Sequence, residues 1–198
     1  MSETTAEIVL FDGFDELDAI GPYEVLQNGA QAGAPLETRL VTLAETDRVT
    51  ASHGLRVEPD GILGEPDLLI VPGGGWTTDD EGVRAAVDDG RLPAVVGERS
   101  ETGTTIASVC TGAMVLAAAG VLEGRPAITH QVGIDDLEVA AGSVVDARVV
   151  DDGDVLTAGG VTAGLDLALW MLEREFGVEI AAAVETEMEH ERRGEVVR

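Results

Sequence analysis

Thr104-Thr105-Ile106-Ala107-Ser108-Val109-Cys110-Thr111-Gly112-Ala113 decides the fold. An apolar strand, Thr104 to Val109, runs directly into a helix, Thr111 to Ala119, with one nucleophile at the junction. Gly120 supplies the helix stop. Such a turn lifts Cys110 above the C-terminal edge of a sheet, where open α/β folds bind ligands. A helix start offers unpaired amide N–H groups and positive potential, which favour thiolate over thiol. Gly112 allows close approach of backbone or substrate. A lone cysteine is often an inert core residue, but this strand–nucleophile–helix layout points to a reactive one.

Outward from that elbow, strand and helix patterns alternate. Ala6 to Phe11 reads as a buried strand, Asp12 to Asp15 as a turn and Leu17 to Gln31 as a helix with Pro22 tolerated in its first turn. Glu37 to Leu43, Arg56 to Pro59 and Leu68 to Val71 read as strands, and Asp80 to Arg99 as a helix broken near Pro93. Past the elbow come a short helix, Asp135 to Ala141, and a strand pair, Val144 to Val150 and Val155 to Ala158, joined by a turn at residues 151–154. Helices over Val161 to Phe176 and Val178 to Glu189 follow. Alternation of this kind specifies α/β: a mostly parallel sheet with helices on both faces. Residues 1–198 form one domain, with residues 178–198 as an acidic C-terminal helix or tail. The stretch His190 to Gly194 reads as a solvated helix end.

Composition narrows the function. The chain carries 38 acidic and 12 basic residues, every basic one an Arg, for a formal charge of -26. Clustered cations for nucleic acid are missing. Such charge suits a salt-rich cytoplasm, where a Debye length of about 3 Å at molar salt screens the self-repulsion. The absence of Lys excludes lysine-linked pyridoxal phosphate, and a single Cys excludes an internal disulfide or a CxxC metal site. Three separated histidines give no zinc spacing. No signal peptide or membrane-length apolar run is expected, so the expected location is the cytoplasm, with no metal, no organic cofactor and no membrane partner.

Two further segments belong with Cys110. Pro72-Gly73-Gly74-Gly75 ends a strand sharply, and glycines there can aim amides at a developing anion. Asp18 lies in the apolar setting Leu17-Asp18-Ala19-Ile20-Gly21-Pro22. A carboxyl buried beside a thiolate has its pKa raised and can carry a proton; the competing role is helix capping. The pair Asp135-Asp136 reads as surface charge.

With these motifs in order, the chain resembles the ThiJ/PfpI superfamily, of the class I glutamine amidotransferase-like, flavodoxin-like fold. Gly124-Arg125-Pro126-Ala127-Ile128-Thr129-His130 and Ala158-Gly159-Gly160-Val161-Thr162-Ala163-Gly164-Leu165-Asp166 complete the likeness, which runs from Ile8 to about Gly177. Its nearest forms are isonitrile hydratases and the sensor domains of AraC-type regulators. The resemblance implies Cys110 as nucleophile, Asp18 as proton shuttle, and Gly74 with the Thr111 amide as anion-stabilising donors. It implies Gly73, Gly75, His130, Gln131 and Thr162 as site lining, with Thr162 and Asp166 mainly structural. It also implies a homodimer.

Protease-like members carry His after the nucleophile, where this chain has Thr111, which weakens a peptidase reading. Hydratases often carry an aromatic residue after the histidine; Gln131 makes this pocket more polar. The expected activity is hydration of a small electrophile, an isonitrile, through a Cys110 thioimidate. Other thiol chemistry (glyoxalase, deglycase or amidase) and a redox or ligand sensor remain open. A DNA-binding module does not fit in residues 178–198.

Overall fold

The computed structural model describes residues 3–77 and 81–198. Asp80, the expected start of a helix, lies outside the described residues. The elements, in chain order, are β1 (Thr4–Val9), α1 (Glu16–Gln31), β2 (Leu36–Thr42), β3 (Val49–Thr50), β4 (Arg56–Val57), β5 (Gly61–Ile62) and β6 (Leu68–Val71). They continue with α2 (Gly82–Asp89), α3 (Arg91–Glu101), β7 (Thr105–Val109), α4 (Ala113–Ala118), β8 (Pro126–Ala127), α5 (Ile134–Ala140), β9 (Ser143–Val144), β10 (Val149–Asp151) and β11 (Val155–Ala158). The last are α6 (Ala163–Phe176), α7 (Val178–Glu187) and β12 (Val196–Val197).

One sheet runs in the order β12-β10-β11-β7-β6-β1-β2-β5. Its pairings are parallel except β10 with β11. A parallel sheet is covered on both faces, so its strands are apolar throughout rather than alternating. Every residue of Leu68–Val71 and of Val155–Ala158 is buried. Two cores result. One packs Leu26, Leu167, Leu169 and Trp170 of α1 and α6 on one face; the other packs Val83, Leu92, Val96 and Leu116 of α2, α3 and α4 on the opposite face. The centre of the sheet is β7 beside β6 and β1, which places the ends of those three strands together.

Three local expectations are corrected. The break between α2 and α3 falls at Gly90, left-handed at φ 76°, and not at Pro93. Pro93 instead occupies the first turn of α3, where a missing N–H costs nothing. The expected strand Val144 to Val150 is split, because the chain leaves the small β8–β9 pair before joining the main sheet as β10. Pro22 stands inside α1 rather than in its first turn, and packs close to Gly164 of α6.

The tail is not a solvated helix end. His190 Nε2 lies 2.8 Å from Asp166 Oδ1, Arg192 pairs with Glu173 and Glu185 at 2.6 Å each, and β12 adds to β10. The Arg198 guanidinium stacks on Trp170.

Candidate active site

The elbow forms where β7 ends. Cys110 takes φ 57°, a left-handed conformation uncommon outside glycine, and Cys110–Gly112 make a 3-10 turn into α4. The strain is held from two sides. The Cys110 N–H donates to Gly159 O at 2.9 Å, and Thr129 Oγ1 donates to Cys110 O at 2.8 Å. Gly112 is required because a Cβ there would sit 2.3 Å from Val71 O and 2.8 Å from Pro72 O. The elbow is thereby pressed against the end of β6.

Asp18 arrives from α1. The helix cap that competed for this residue belongs to Asp15, whose Oδ1 accepts from the Leu17 N–H at 3.2 Å. Asp18 is fully buried and its Oδ2 accepts from the Gly73 N–H at 3.0 Å. Its Oδ1 is buried with no hydrogen-bond partner among the described residues, and Cys110 is the side chain that favours its charged form. Gly73 sits so tightly between them that a Cβ would meet Asp18 Oδ2 at 2.5 Å, Thr111 N at 2.8 Å and Cys110 Cβ at 2.9 Å.

Burial pushes Asp18 up to about 7, helped by the charge of Asp15 and tempered by its bonds to Cys110 and Gly73. Burial likewise pushes the Cys110 thiol up to about 12, and the Asp18 charge adds to it. The amides of Val161 and Thr111 pull the other way, toward thiolate, without prevailing. The expectation that the helix start lowers the thiol is therefore corrected: a thiol only 7% exposed loses more to desolvation than those amides return. Near neutral pH the thiol therefore keeps its proton while the Asp18 carboxyl is part protonated and part ionised, able to take a proton or give one.

Gly74 also differs from expectation. Its N–H donates to Thr111 Oγ1 at 3.0 Å, and the same hydroxyl donates back to Gly74 O at 2.7 Å. That amide is thus occupied, and the backbone amides that favour the thiolate are those of Thr111 and of Val161, a residue that sequence reasoning missed. Val161 is β-branched yet left-handed, at φ 38°. No side-chain pattern announces a backbone donor of this kind.

The remaining lining residues spread out. Gly75 receives the Arg84 N–H on its carbonyl at 2.9 Å. The His130 ring packs on Gly160, and its Nδ1 accepts from the Val132 N–H at 3.2 Å. Gln131 is exposed and rims a cleft of about 480 Å³ with Thr129, Asp146, Arg148, Gly159 and Gly160. Thr162 is directed elsewhere, its Oγ1 accepting from Arg148 Nη2 at 3.0 Å. Asp136 is not free surface charge, since it accepts from Trp76 Nε1 at 2.7 Å and so ties the glycine turn's end to α5.

Among the described residues, Asp15, Glu16 and His53 form the one cluster of three metal-ligating side chains. Hydrogen bonds account for it: Glu16 takes the His53 ring at 2.7 Å and the His53 N–H at 2.8 Å. Partial burial raises Glu16, but these bonds outweigh it and bring the carboxyl to about 2. No described helix is long and apolar enough to cross a membrane.

A thiol elbow facing a buried carboxyl on this sheet defines a cysteine-centred α/β protein. The DJ-1/PfpI family model matches residues 4–174, and the chain belongs to that family. It is 35% identical over 187 residues to an isonitrile hydratase of Pseudomonas putida, covering 92% of this chain and 76% of the relative. It is 30% identical to deglycase TK1284 of Thermococcus kodakarensis, covering 84% and 94%. A ThiJ/PfpI family protein from Pseudomonas syringae superposes with a TM-score of 0.84 at 29% identity, covering 98% of this chain and 77% of that one.

Proposed function

We propose that this protein is a cysteine-dependent hydratase of small electrophiles, of the isonitrile hydratase type. The observation that carries the reading is the fully buried Asp18 carboxyl, held at about 7 against Cys110. That value suits a group that must both give and take a proton near neutrality.

The Cys110 thiol gives its proton to the Asp18 carboxylate as the sulfur attacks the terminal isonitrile carbon, and Asp18 delivers that proton to the carbon, leaving a thioimidate. Water, losing a proton to the Asp18 carboxylate, adds to the same carbon. The C–S bond then breaks, the nitrogen takes up a proton, and an N-substituted formamide leaves with Cys110 restored. The Thr111 and Val161 amides steady the sulfur while it carries negative charge. The 35% identity to an isonitrile hydratase supports this substrate class.

A second reading, carbonyl chemistry on glyoxals, draws on the polar cleft of Gln131, Asp146 and Arg148 and on the deglycase relative. Turnover of isonitriles, glyoxal and methylglyoxal by wild type and Cys110→Ala, in high KCl, separates the two. Formamide that vanishes in Cys110→Ala supports hydration. Loss of the glyoxals alone moves the protein to carbonyl chemistry. Oxidation of Cys110 by peroxide with no turnover favours a sensor.

The protein is further proposed to work as a homodimer in the cytoplasm of a salt-adapted cell. Leu17, next to Glu16 in sequence, and Leu55, whose N–H donates to Glu16 Oε1 at 3.3 Å, are 37% and 45% exposed and are the apolar side chains offered to such a self-association surface. Sedimentation at high salt giving the mass of one chain would rule the dimer out.

A further inference from the structure

Arg148 connects more of the site's surroundings than its position outside the sheet core suggests. Its Nε pairs with Asp166 Oδ2 and its Nη2 donates to Thr162 Oγ1 at 3.0 Å. Asp166 is 3% exposed and spends its other oxygen on His190 Nε2 at 2.8 Å. The backbone of Arg148 grips the same segment at its other end. Its carbonyl accepts the Gly159 N–H at 3.0 Å, and the Gly159 carbonyl accepts the Cys110 N–H at 2.9 Å.

Arg148 therefore holds both Gly159 and Thr162, and between them lies Val161, whose amide acts on the Cys110 sulfur. That segment needs holding. A β-branched residue at φ 38° relaxes to the extended region unless its neighbours fix it. Asp166 adds a second constraint, because it sits in the first turn of α6, which starts at Ala163.

We infer that Arg148 is a positioning residue for Cys110: its guanidinium fork locks Thr162 to Asp166, its carbonyl holds Gly159, and the segment so fixed holds the Cys110 N–H and keeps the elbow in place. The inference rests on reading Cys110 as the nucleophile and is independent of which electrophile it attacks. A lysine cannot replace the fork, since a point charge does not reach two acceptors in fixed geometry. The charged group acting on Cys110 itself is Asp18, which in turn feels Asp15.

The test is the pH profile of iodoacetamide alkylation of Cys110, the chain's one cysteine, in wild type, Arg148→Lys, Thr162→Val and Thr162→Ser. Thr162 is exposed, so its variants keep the fold even if Arg148→Lys does not. Arg148→Lys and Thr162→Val are expected to alkylate about tenfold more slowly at every pH between about 6 and 9, where the rate tracks the small thiolate fraction. Thr162→Ser, which retains the hydroxyl, should restore the wild-type profile. Simple loosening would do the opposite, because a nearly buried thiol reacts faster when its surroundings open. Wild-type or faster alkylation in Thr162→Val overturns the assignment. An unaltered wild type that alkylates as described yet hydrates no isonitrile overturns the hydratase reading and leaves the role of Arg148 standing.

Discussion

Asp18 and Asp166 are both carboxylates in the first turn of a helix, on two helices of one layer, 0% and 3% exposed. Their surroundings differ in a single respect. Asp166 faces a guanidinium and an imidazole, whereas Asp18 faces a backbone amide and a thiol. A buried carboxylate with cations becomes a structural joint. One without them is pushed up toward neutrality and becomes able to exchange a proton. The same residue type, nearly equally buried, thus braces the scaffold at Asp166 and is proposed to carry the proton at Asp18.

The largest expected effects separate the two at the level of turnover. Cys110→Ala should abolish it, and Asp18→Asn should slow it by roughly 10²–10⁴ while keeping the fold, as read by steady-state rates and circular dichroism. Undiminished rates in Asp18→Asn would remove it as proton carrier. Asp166→Ala should act chiefly on stability, with reactivity of Cys110 falling no more than the roughly tenfold expected for Arg148→Lys. It leaves Arg148 without its partner and should cost about 3 kcal/mol in urea unfolding.

Stability against pH sharpens the contrast. The folded value of Asp18, about 7, lies above its ordinary 3.8. Both folded and unfolded chains hold the proton below about pH 4. Between there and pH 7 only the folded chain holds it, so wild type loses stability as pH rises through that window. Asp18→Asn has no such loss. Relative to wild type it should gain up to about 4 kcal/mol by pH 8, fading as pH falls to 4; a constant difference across that range would contradict the burial argument. The smallest effect is general: with a charge of -26, melting should rise as KCl screens self-repulsion, and a flat response would mean that the ion pairs already balance it.

Much of this was legible in the sequence. Strands Leu68–Val71 and Val155–Ala158 have the bounds their apolar runs imply, because a doubly covered strand has no polar face to blur its ends. Cys110 and the glycine turn were legible because each stands where a strand stops; Asp18, inside α1, joined them only through the family resemblance, since a carboxylate in a first turn also suits a cap. What stayed hidden is backbone and long-range pairing. The Gly74 amide is consumed by the Thr111 hydroxyl, and the Val161 amide takes up a role on the sulfur; neither leaves a side-chain signature. The docking of His190 and Arg192 depends on partners at Asp166, Glu173 and Glu185, whose facing directions only the folded chain fixes.

The eight-stranded sheet begins with β12 and finishes with β5, each of two residues. A ladder that short gives an incoming strand little to template on, which is one way sheet proteins avoid edge-to-edge aggregation. Between these blunt borders lie strands apolar enough to recruit neighbours if uncovered. Removing residues 189–198 would therefore do more than shorten the chain. It would open Val149 and Val150 of β10 as a lateral docking rail for other copies, and turn an acidic, self-repelling chain toward assembly.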